Sequence, residues 1–382
     1  MSLTNADIAE LIALRRALHR LPELSGQEEQ TARRIARELK PFSPDALVTG
    51  LGGHGLAAVF GGAQAGPTVL FRCELDGLPI RETGTPPHRS TNDDTGHLCG
   101  HDGHMAIMAG LARRLSRDRP RRGRAVLLFQ PAEETGAGAA AVIADPKFAA
   151  IAPDYAFSLH NMPGLALGQV GLAEGPVNCA SRGLAITLAG KPAHASAPES
   201  GRSPMAALAA LMPALTGLGR GTLDDPDFAL VTVTHARMGA PAFGIAPGEA
   251  TLFATLRTLS DGAMAALVNA ALDLVARTAR THELTFEHRF EDVFGHCVND
   301  TEATAVLRRT LDRLGMAHGP QGQPWRASED FGRFGHGAKA AMFVLGAGRG
   351  HAALHHPDYD FPDDLIGQGV RIFEAVAHEM LG

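Results

Sequence analysis

The sequence lacks the features typical of disulfide-rich, nucleic-acid-binding and membrane-spanning proteins. Its 382 residues include only four cysteines, without the spacing of a disulfide framework, which suits a reducing compartment. The formal net charge of -6 gives no indication of a nucleic-acid partner or an acidic membrane surface. No uninterrupted apolar run approaches membrane-spanning length, and residues 1–10 lack the basic and apolar regions of a signal peptide. We therefore expect a soluble cytoplasmic protein with no nucleic-acid or membrane partner.

The length of the chain and its apolar patterning predict two domains of different architecture. Short, continuous apolar runs are typical of strands covered on both faces, as in an α/β sheet with helices on both sides, and they occupy residues 56–60, 68–74, 125–129, 155–159 and 341–345. Between residues 180 and 292 the order becomes β-α-β-β-α-β, the pattern of a ferredoxin-like α+β domain. We predict a catalytic metal-binding domain at 1–179 and 293–382, with the smaller domain at 180–292 inserted into it.

The segment HLCGHDGH, residues 97–104, concentrates potential metal ligands. Cys99 and His101 are two residues apart, and Gly100 and Gly103 permit a tight backbone path. An apolar helical run over residues 105–115 follows directly. The pattern indicates a loop that presents two ligands at a helix N-terminus, although a buried thiol beside a hydrogen-bonded imidazole would give the same local pattern.

Polar side chains follow four of the predicted strands, at the end where open α/β sheets bind ligands. Taken singly, an acidic pair is often a solvated helix start and a histidine is often structural. Five N, S and O donors at strand ends that share one crevice suit two metal ions about 3.5–4 Å apart, and they are Cys99, His101, Glu134, His160 and His355. Because adjacent side chains at a strand end point to opposite sides, we expect one carboxylate of the pair Glu133–Glu134 to bind metal and its neighbour to act as a free general base.

These segments resemble the M20 metallopeptidase family over the full length of the chain, specifically its branch of hippurate, indoleacetyl-amino-acid and N-acyl-amino-acid hydrolases. The resemblance is carried by LHRLPELS (18–25), RCELDGLP (72–79), HLCGHDGH (97–104), FQPAEE (129–134), LHN (159–161), GKPAH (190–194), SEDF (328–331) and LHHPDYDF (354–361). It implies a zinc-exopeptidase-like catalytic domain with a lid domain. It also implies a metal-dependent amidohydrolase that cleaves an N-acyl amino acid, acetyl or aroyl, into a carboxylic acid and an amino acid.

The resemblance also implies roles for individual residues. The five donors named above carry over as ligands of two divalent metal ions per subunit (zinc, manganese, nickel or cobalt), and Glu133 carries over as the base. Asp76 would be an active-site carboxylate that orients a histidine ligand. His194 would be the lid histidine that contacts substrate and stabilises the oxyanion. Arg257 is either a fork for the substrate carboxylate or a structural ion-pair partner.

Three positions depart from the family pattern, and alternatives to the main function stay open. Glu74 stands where an aspartate is usual, Gly244 where an asparagine is usual, and Arg182 where an acidic residue is commoner. The alternatives are a dipeptidase or aminoacylase-type peptidase of the same family and a metal-binding relative without catalysis. The smaller domain is expected to pair two subunits as a homodimer, or a dimer of dimers, through a sheet edge.

Overall fold

The chain divides into two compact units. The structure is a computed structural model, and it describes residues 3–382. Met1 and Ser2 lie outside the described residues; they belong to the segment 1–10, for which we predicted no signal peptide. The first unit contains the residues up to Val177, Cys297–Pro324 and Asp330–Gly382, and the second contains Asn178–His296 and Trp325–Glu329. Nothing in the sequence pattern indicated that the short segment 325–329 joins the second unit.

The strands of the described chain include all five runs predicted from continuous apolarity, together with short edge strands that carry no such signal. In chain order they are β1 (Ala46–Leu51), β2 (Gly55–Gly61), β3 (Gln64–Glu74), β4 (Arg122–Gln130), β5 (Tyr155–Pro163), β6 (Val170–Gly171), β7 (Gly175–Asn178), β8 (Ala180–Ala189), β9 (Ala193–His194), β10 (Ala229–Met238), β11 (Ile245–Ala246), β12 (Glu249–Thr258), β13 (Thr285–Phe294), β14 (Cys297–Asn299), β15 (His318–Gly319) and β16 (Lys339–Gly348).

The helices follow from amphipathic runs and their caps. Thr4 caps the first helix in a reciprocal capping box with Asp7. In chain order the helices are α1 (Asn5–His19), α2 (Glu29–Leu39), α3 (His101–Arg117), α4 (Gly138–Ala144), α5 (Met205–Thr216), α6 (Asp261–Thr281), α7 (Thr301–Arg313) and α8 (Asp364–Leu381). Short 3-10 helices lie at Lys40–Phe42, Pro146–Ala150, Pro198–Ser200 and Asp330–His336.

The first unit is built on an eight-stranded mixed sheet, in the order β1-β2-β4-β3-β5-β16-β6-β15. The four central strands β4, β3, β5 and β16 run parallel to one another. At the edges, β2 pairs antiparallel with β1 and β4, and β6 pairs antiparallel with β16 and parallel with β15. The predicted α/β sheet flanked by helices is confirmed, and its strand pairing is mixed. Because the central strands are parallel, their carboxyl ends lie along one edge of the sheet.

Alternate residues of the central strands enter different cores, one on each face of this sheet. In β4, Leu127 and Phe129 belong to the larger core, which α1, α3, α7 and α8 help to form, while Val126 and Leu128 belong to the other. The second core includes residues of α4 and of the 3-10 helix Asp330–His336. Burial on both faces explains why these strands are continuously apolar in sequence.

The second unit contains a four-stranded antiparallel sheet, in the order β10-β12-β8-β13, with α5 and α6 packed against it. A two-stranded ribbon of β9 and β11 accompanies this sheet. By length and composition alone, α6 is the one helix of the described chain that could cross a membrane. One face of α6, including Met264, Leu267 and Val275, is buried in the core of the unit, as in a core helix of a globular domain.

Candidate metal centre

The parallel strands bring the predicted ligands of the first unit to one edge of its sheet. Glu134 lies just beyond the end of β4, and His355 lies in the loop that follows β16. His160 lies inside β5 rather than at its end, and His101 begins α3. Gly100 has φ of 96°, a conformation that favours glycine, and it makes the turn between Cys99 and His101.

The side chains of all five predicted ligands converge. The Cys99 Sγ lies 3.5 Å from His160 Nε2, and Glu134 lies 3.8 Å from His101 Nε2 and 3.5 Å from His355 Nε2. Two overlapping triplets, Cys99–His101–His160 and Cys99–Glu134–His355, each have ligand atoms within 4.8 Å of one another. This spacing suits donors arranged around neighbouring cations.

Hydrogen bonds fix which nitrogen of each buried histidine faces the centre. The Nδ1 of His101 donates to the main-chain carbonyl of Asp76 at 2.8 Å, and the Nδ1 of His160 donates to the carbonyl of Asn161 at 2.8 Å. In both rings Nε2, rather than Nδ1, is therefore the nitrogen that faces the other donors. The His101 Nε2 is buried and has no hydrogen-bond partner among residues 3–382.

The electrostatics of the centre favour a positive charge. Burial alone would lower the pKa of His101, but Asp76, Glu74 and Glu134 outweigh it and raise that pKa to about 10. Burial and the nearby carboxylates raise the pKa of the Cys99 thiol well above its usual value. A buried cation would stabilise the thiolate and take the place of the proton on His101. The donor set therefore fits a divalent metal with affinity for thiolate and imidazole.

His355 reaches the centre on a strained loop. Its φ is 66°, uncommon for a residue with a Cβ, and its N–H donates to the carbonyl of Leu98 at 2.8 Å. That bond ties the His355 loop to the segment that carries Cys99. Partial burial of this half-exposed ring, with a smaller contribution from His101, lowers the pKa of His355 to about 4. A lowered pKa favours the neutral ring, which is the form that binds metal.

The expectation that Glu133 and Glu134 point to opposite sides is wrong. The strand ends at Gln130, and Ala132 has φ of 50°, so both acids lie in a turn where strand alternation does not apply. Their carboxylates lie 3.9 and 3.8 Å from the same His101 Nε2. Both acids therefore approach one point of the centre.

Asp76 supports the centre through its backbone and its carboxylate. Its carbonyl orients His101, whereas its Oδ2 accepts from the Glu134 N–H at 2.9 Å and from the Ser25 hydroxyl at 2.7 Å. The second oxygen, Oδ1, lies 3.4 Å from His101 Nδ1. Asp76 thus joins the turn that carries Glu134 to the helix that carries His101.

Two other histidines of the HLCGHDGH segment lie outside the ligand set. His104 bonds Glu74 through Nδ1 at 2.6 Å and Asn161 through Nε2 at 2.6 Å, so neither nitrogen faces the centre. His97 is 1% exposed, and burial lowers its pKa to about 4. Sequence reasoning missed Asn161, although it directly follows His160 in the LHN motif.

In the second unit, His194 lies in the ribbon and keeps one nitrogen available. Its Nδ1 accepts from the main-chain N–H of Ser196 at 3.2 Å and lies 2.7 Å from the Ser196 hydroxyl. The proton of the neutral ring therefore sits on Nε2, which can donate. His194 is exposed and pairs with Ile245 in register.

Arg257 is not the structural ion-pair partner that one alternative describes. Its Nη1 donates to the carbonyl of Arg326 and to the hydroxyl of Ser328, both at 2.9 Å. Within residues 3–382 no carboxylate lies in salt-bridge distance of it, and burial lowers its pKa. A half-buried guanidinium without a carboxylate is suited to an anionic ligand.

Of the three departures from the family pattern, Arg182 and Glu74 have local partners, whereas nothing in the structure explains Gly244. The guanidinium of Arg182 lies 5.1 Å from the centre of the Phe290 ring, a cation–π contact across neighbouring strands. Gly244 has open space around the position of a Cβ, so packing does not require glycine there. Glu74 is fully buried and forms an ion pair with Arg72 as well as its contact with His104.

Comparison with known proteins places this geometry in a family. The profile of peptidase family M20/M25/M40 matches residues 70–379. The chain is 30% identical to N-acetyl-L-cysteine deacetylase of Bacillus subtilis over 94% of this chain and 85% of that protein. It is 28% identical to hippurate hydrolase of Campylobacter jejuni over 97% of both. Among solved structures, the YXEP protein of Bacillus subtilis, described as a dinuclear metal-binding peptidase from the M20 family, aligns over 99% of both chains with a TM-score of 0.82 and 26% identity.

Proposed function

Because this chain belongs to peptidase family M20/M25/M40, we propose that it is a metal-dependent amidohydrolase of N-acyl amino acids. The products are a carboxylic acid and a free amino acid. The observation that carries the proposal is the convergence of a thiol, three imidazoles and two carboxylates at one sheet edge. The deacetylase and hippurate hydrolase named above, both acting on acyl amino acids by name, support the substrate class.

We assign two divalent metal ions to the converging donors. Cys99, His101, Glu134, His160 and His355 would hold them, and the partnerless His101 Nε2 supports the assignment. Thiolate and imidazole favour zinc, cobalt or nickel, and carboxylate oxygens also admit manganese. Divalent ions held by these residues would supply Lewis acidity, which lowers the pKa of water and polarises a carbonyl.

Glu133 is the proposed general base. Its carboxylate lies beside His101, where it can take a proton from the attacking water as the new C–O bond forms. It then returns that proton to the amide nitrogen as the C–N bond breaks, so the carboxylate is regenerated. Asp76 helps to fix the position of Glu133, because its Oδ2 accepts a hydrogen bond from the main-chain N–H of the adjacent Glu134.

The second unit is proposed to bind the substrate and to act as a lid. The Nε2–H of His194 suits a donor to the oxyanion that forms on the carbonyl. Arg257 suits the substrate carboxylate. The sheet order β10-β12-β8-β13, with its two helices, supports a ferredoxin-like lid. A homodimer through this unit and a cytoplasmic location also belong to the proposal, the latter supported by four free cysteines.

A panel of acyl amino acids tests this function. Protein loaded in turn with zinc, manganese, cobalt or nickel is incubated with N-acetyl amino acids, N-benzoylglycine and dipeptides, and amino acid release is measured. We expect release from acyl amino acids that stops on chelation. Faster release from dipeptides would favour the dipeptidase alternative. No release with any metal would contradict the proposal and favour a relative without catalysis.

A further inference from the structure

Beneath the metal centre lies a chain of buried polar side chains that the proposed mechanism does not use. It consists of Arg72 and Glu74 of β3, His104 of α3 and Asn161 of β5, and we call it the support chain. Each of the four is at most 1% exposed. Buried polar side chains of this number persist only where hydrogen bonds satisfy them.

Continuous contacts join the members of the support chain. Arg72 pairs with Glu74, whose Oε2 lies 2.6 Å from His104 Nδ1. The Nε2 of the same ring lies 2.6 Å from Asn161 Oδ1, and Asn161 Nδ2 donates to the hydroxyl of Tyr359 at 2.5 Å. Although burial opposes its charge, Arg72 and His104 hold the pKa of Glu74 well below its usual value. Glu74, which has one methylene more than the usual aspartate, therefore contacts both Arg72 and His104.

Asn161 touches the ligand-bearing segments on two sides. It directly follows His160 in β5 and receives the far end of the support chain. Its Oδ1 also fills the space beside Gly100, where a Cβ would lie 2.2 Å from that oxygen. Gly100 is the turn between Cys99 and His101, and the His104 ring stands edge-on to the His160 ring at 4.9 Å.

We propose that Asn161, held by Glu74 and His104, is a positioning residue that sets the separation between the Cys99–His101 turn and His160. It would hold three ligands at binding distance before the metal arrives. A preorganised site binds more tightly because less ordering opposes binding. This inference rests on the ligand assignment made under the proposed function.

Zinc affinity of the metal-free protein tests the role, with no substrate involved. Asn161→Ala is compared with Asn299→Ala, a control in which the buried amide makes equivalent bonds to Met342 and Ala173 away from the centre. Competition with a chelator gives the affinity, the visible spectrum of the Co²⁺ protein gives the ligand geometry, and thermal unfolding gives the stability. Tyr359→Phe removes only the hydroxyl that orients Asn161.

We expect Asn161→Ala to weaken zinc binding by about 10–100-fold and to change the cobalt spectrum. Asn299→Ala should lower stability comparably and leave both readouts unchanged. Tyr359→Phe should weaken zinc binding about threefold, as expected for one hydrogen bond. Should Asn161→Ala fail to fold, Tyr359→Phe decides, and parent-like zinc affinity in it overturns the inference.

The remaining outcomes distinguish a failure of the positioning role of Asn161 from a failure of the metal-ligand assignment. If the parent binds two zinc ions and Asn161→Ala binds them equally well, the positioning role is overturned while the proposed function stands. Equal zinc losses in Asn161→Ala and Asn299→Ala also overturn it, because general destabilisation would then account for both. If the parent binds no zinc, cobalt, nickel or manganese, the ligand assignment and this inference fail together.

Discussion

His101 and Asp102 are neighbours in the first turn of α3, yet they belong to two buried polar clusters with different partners. Asp102 Oδ2 accepts from Arg15 at 3.3 Å and from His19 at 2.9 Å, and His19 also contacts Glu82 at 3.3 Å. We call Arg15, His19, Glu82 and Asp102 the paired cluster. In the metal centre, by contrast, the His101 Nε2 is buried and has no hydrogen-bond partner within residues 3–382.

The difference separates residues that hold the fold from residues that hold a ligand. A buried polar atom without a partner costs about 1–3 kcal/mol, so such an atom needs an explanation beyond stability. In the paired cluster each charged group meets an opposite charge, although Asp102 Oδ1 accepts no hydrogen bond within residues 3–382. The cluster ties α1 to the start of α3. In the metal centre, we propose that the missing partner of His101 Nε2 is a cation.

The largest effect is expected when a glutamate of the metal centre is compared with a glutamate of the paired cluster. Glu133→Gln should lower kcat by about 10²–10⁴-fold with metal content unchanged, because it removes only the proton acceptor. Its counterpart Glu82→Gln should keep kcat within about twofold. Steady-state kinetics and elemental analysis of both variants measure this, and near-parental kcat in Glu133→Gln would show that the base is another residue.

A second contrast concerns stability. Arg15→Met leaves Asp102, Asp360 and Asp363 without their shared guanidinium. Removing one partner from a buried charge network costs about 3–5 kcal/mol, so chemical denaturation should show a loss of that size. The folded variant should still bind two zinc ions per chain. A stability equal to the parent's would mean that the paired cluster does not hold the fold.

The smallest effect is a dependence of stability on pH. Burial lowers the pKa of His19, but Asp102 and Glu82 outweigh it and raise that pKa to about 9. Because the folded-state pKa exceeds the usual 6.5, the stabilisation is complete below about pH 6.5 and is lost as the pH rises through about 9. The stability advantage of the parent over His19→Gln, measured by urea unfolding, should therefore shrink by up to about 3 kcal/mol across that window. An advantage that is constant with pH would indicate a neutral His19.

The sequence predicts much of the first unit because burial on both faces leaves a local mark. Continuous apolarity located β3 and β4, which precede Asp76 and Glu134, and β5, which contains His160. Parallel pairing brings the carboxyl ends of these strands to one edge of the sheet. The turn at Glu133 was not predictable, because the positive φ of Ala132 has no sequence signal in a residue other than glycine.

Contacts between residues distant in sequence were also beyond sequence reasoning. Arg15 and Asp102 are 87 residues apart, and no periodicity relates an arginine of one helix to an aspartate of another. The link from Glu74 to Asn161 likewise depends on the order of strands in the sheet. The reason for the burial of His104 also appears only in three dimensions.

X-ray absorption at the zinc edge tests the central claim, which is that Cys99 and the donors that converge on it form the metal site. For protein loaded with two zinc ions, we predict a sulfur neighbour at about 2.3 Å in addition to nitrogen and oxygen at about 2.0–2.2 Å. In Cys99→Ser the sulfur contribution should disappear. A parent spectrum without sulfur, or a sulfur contribution that persists in Cys99→Ser, would contradict the account.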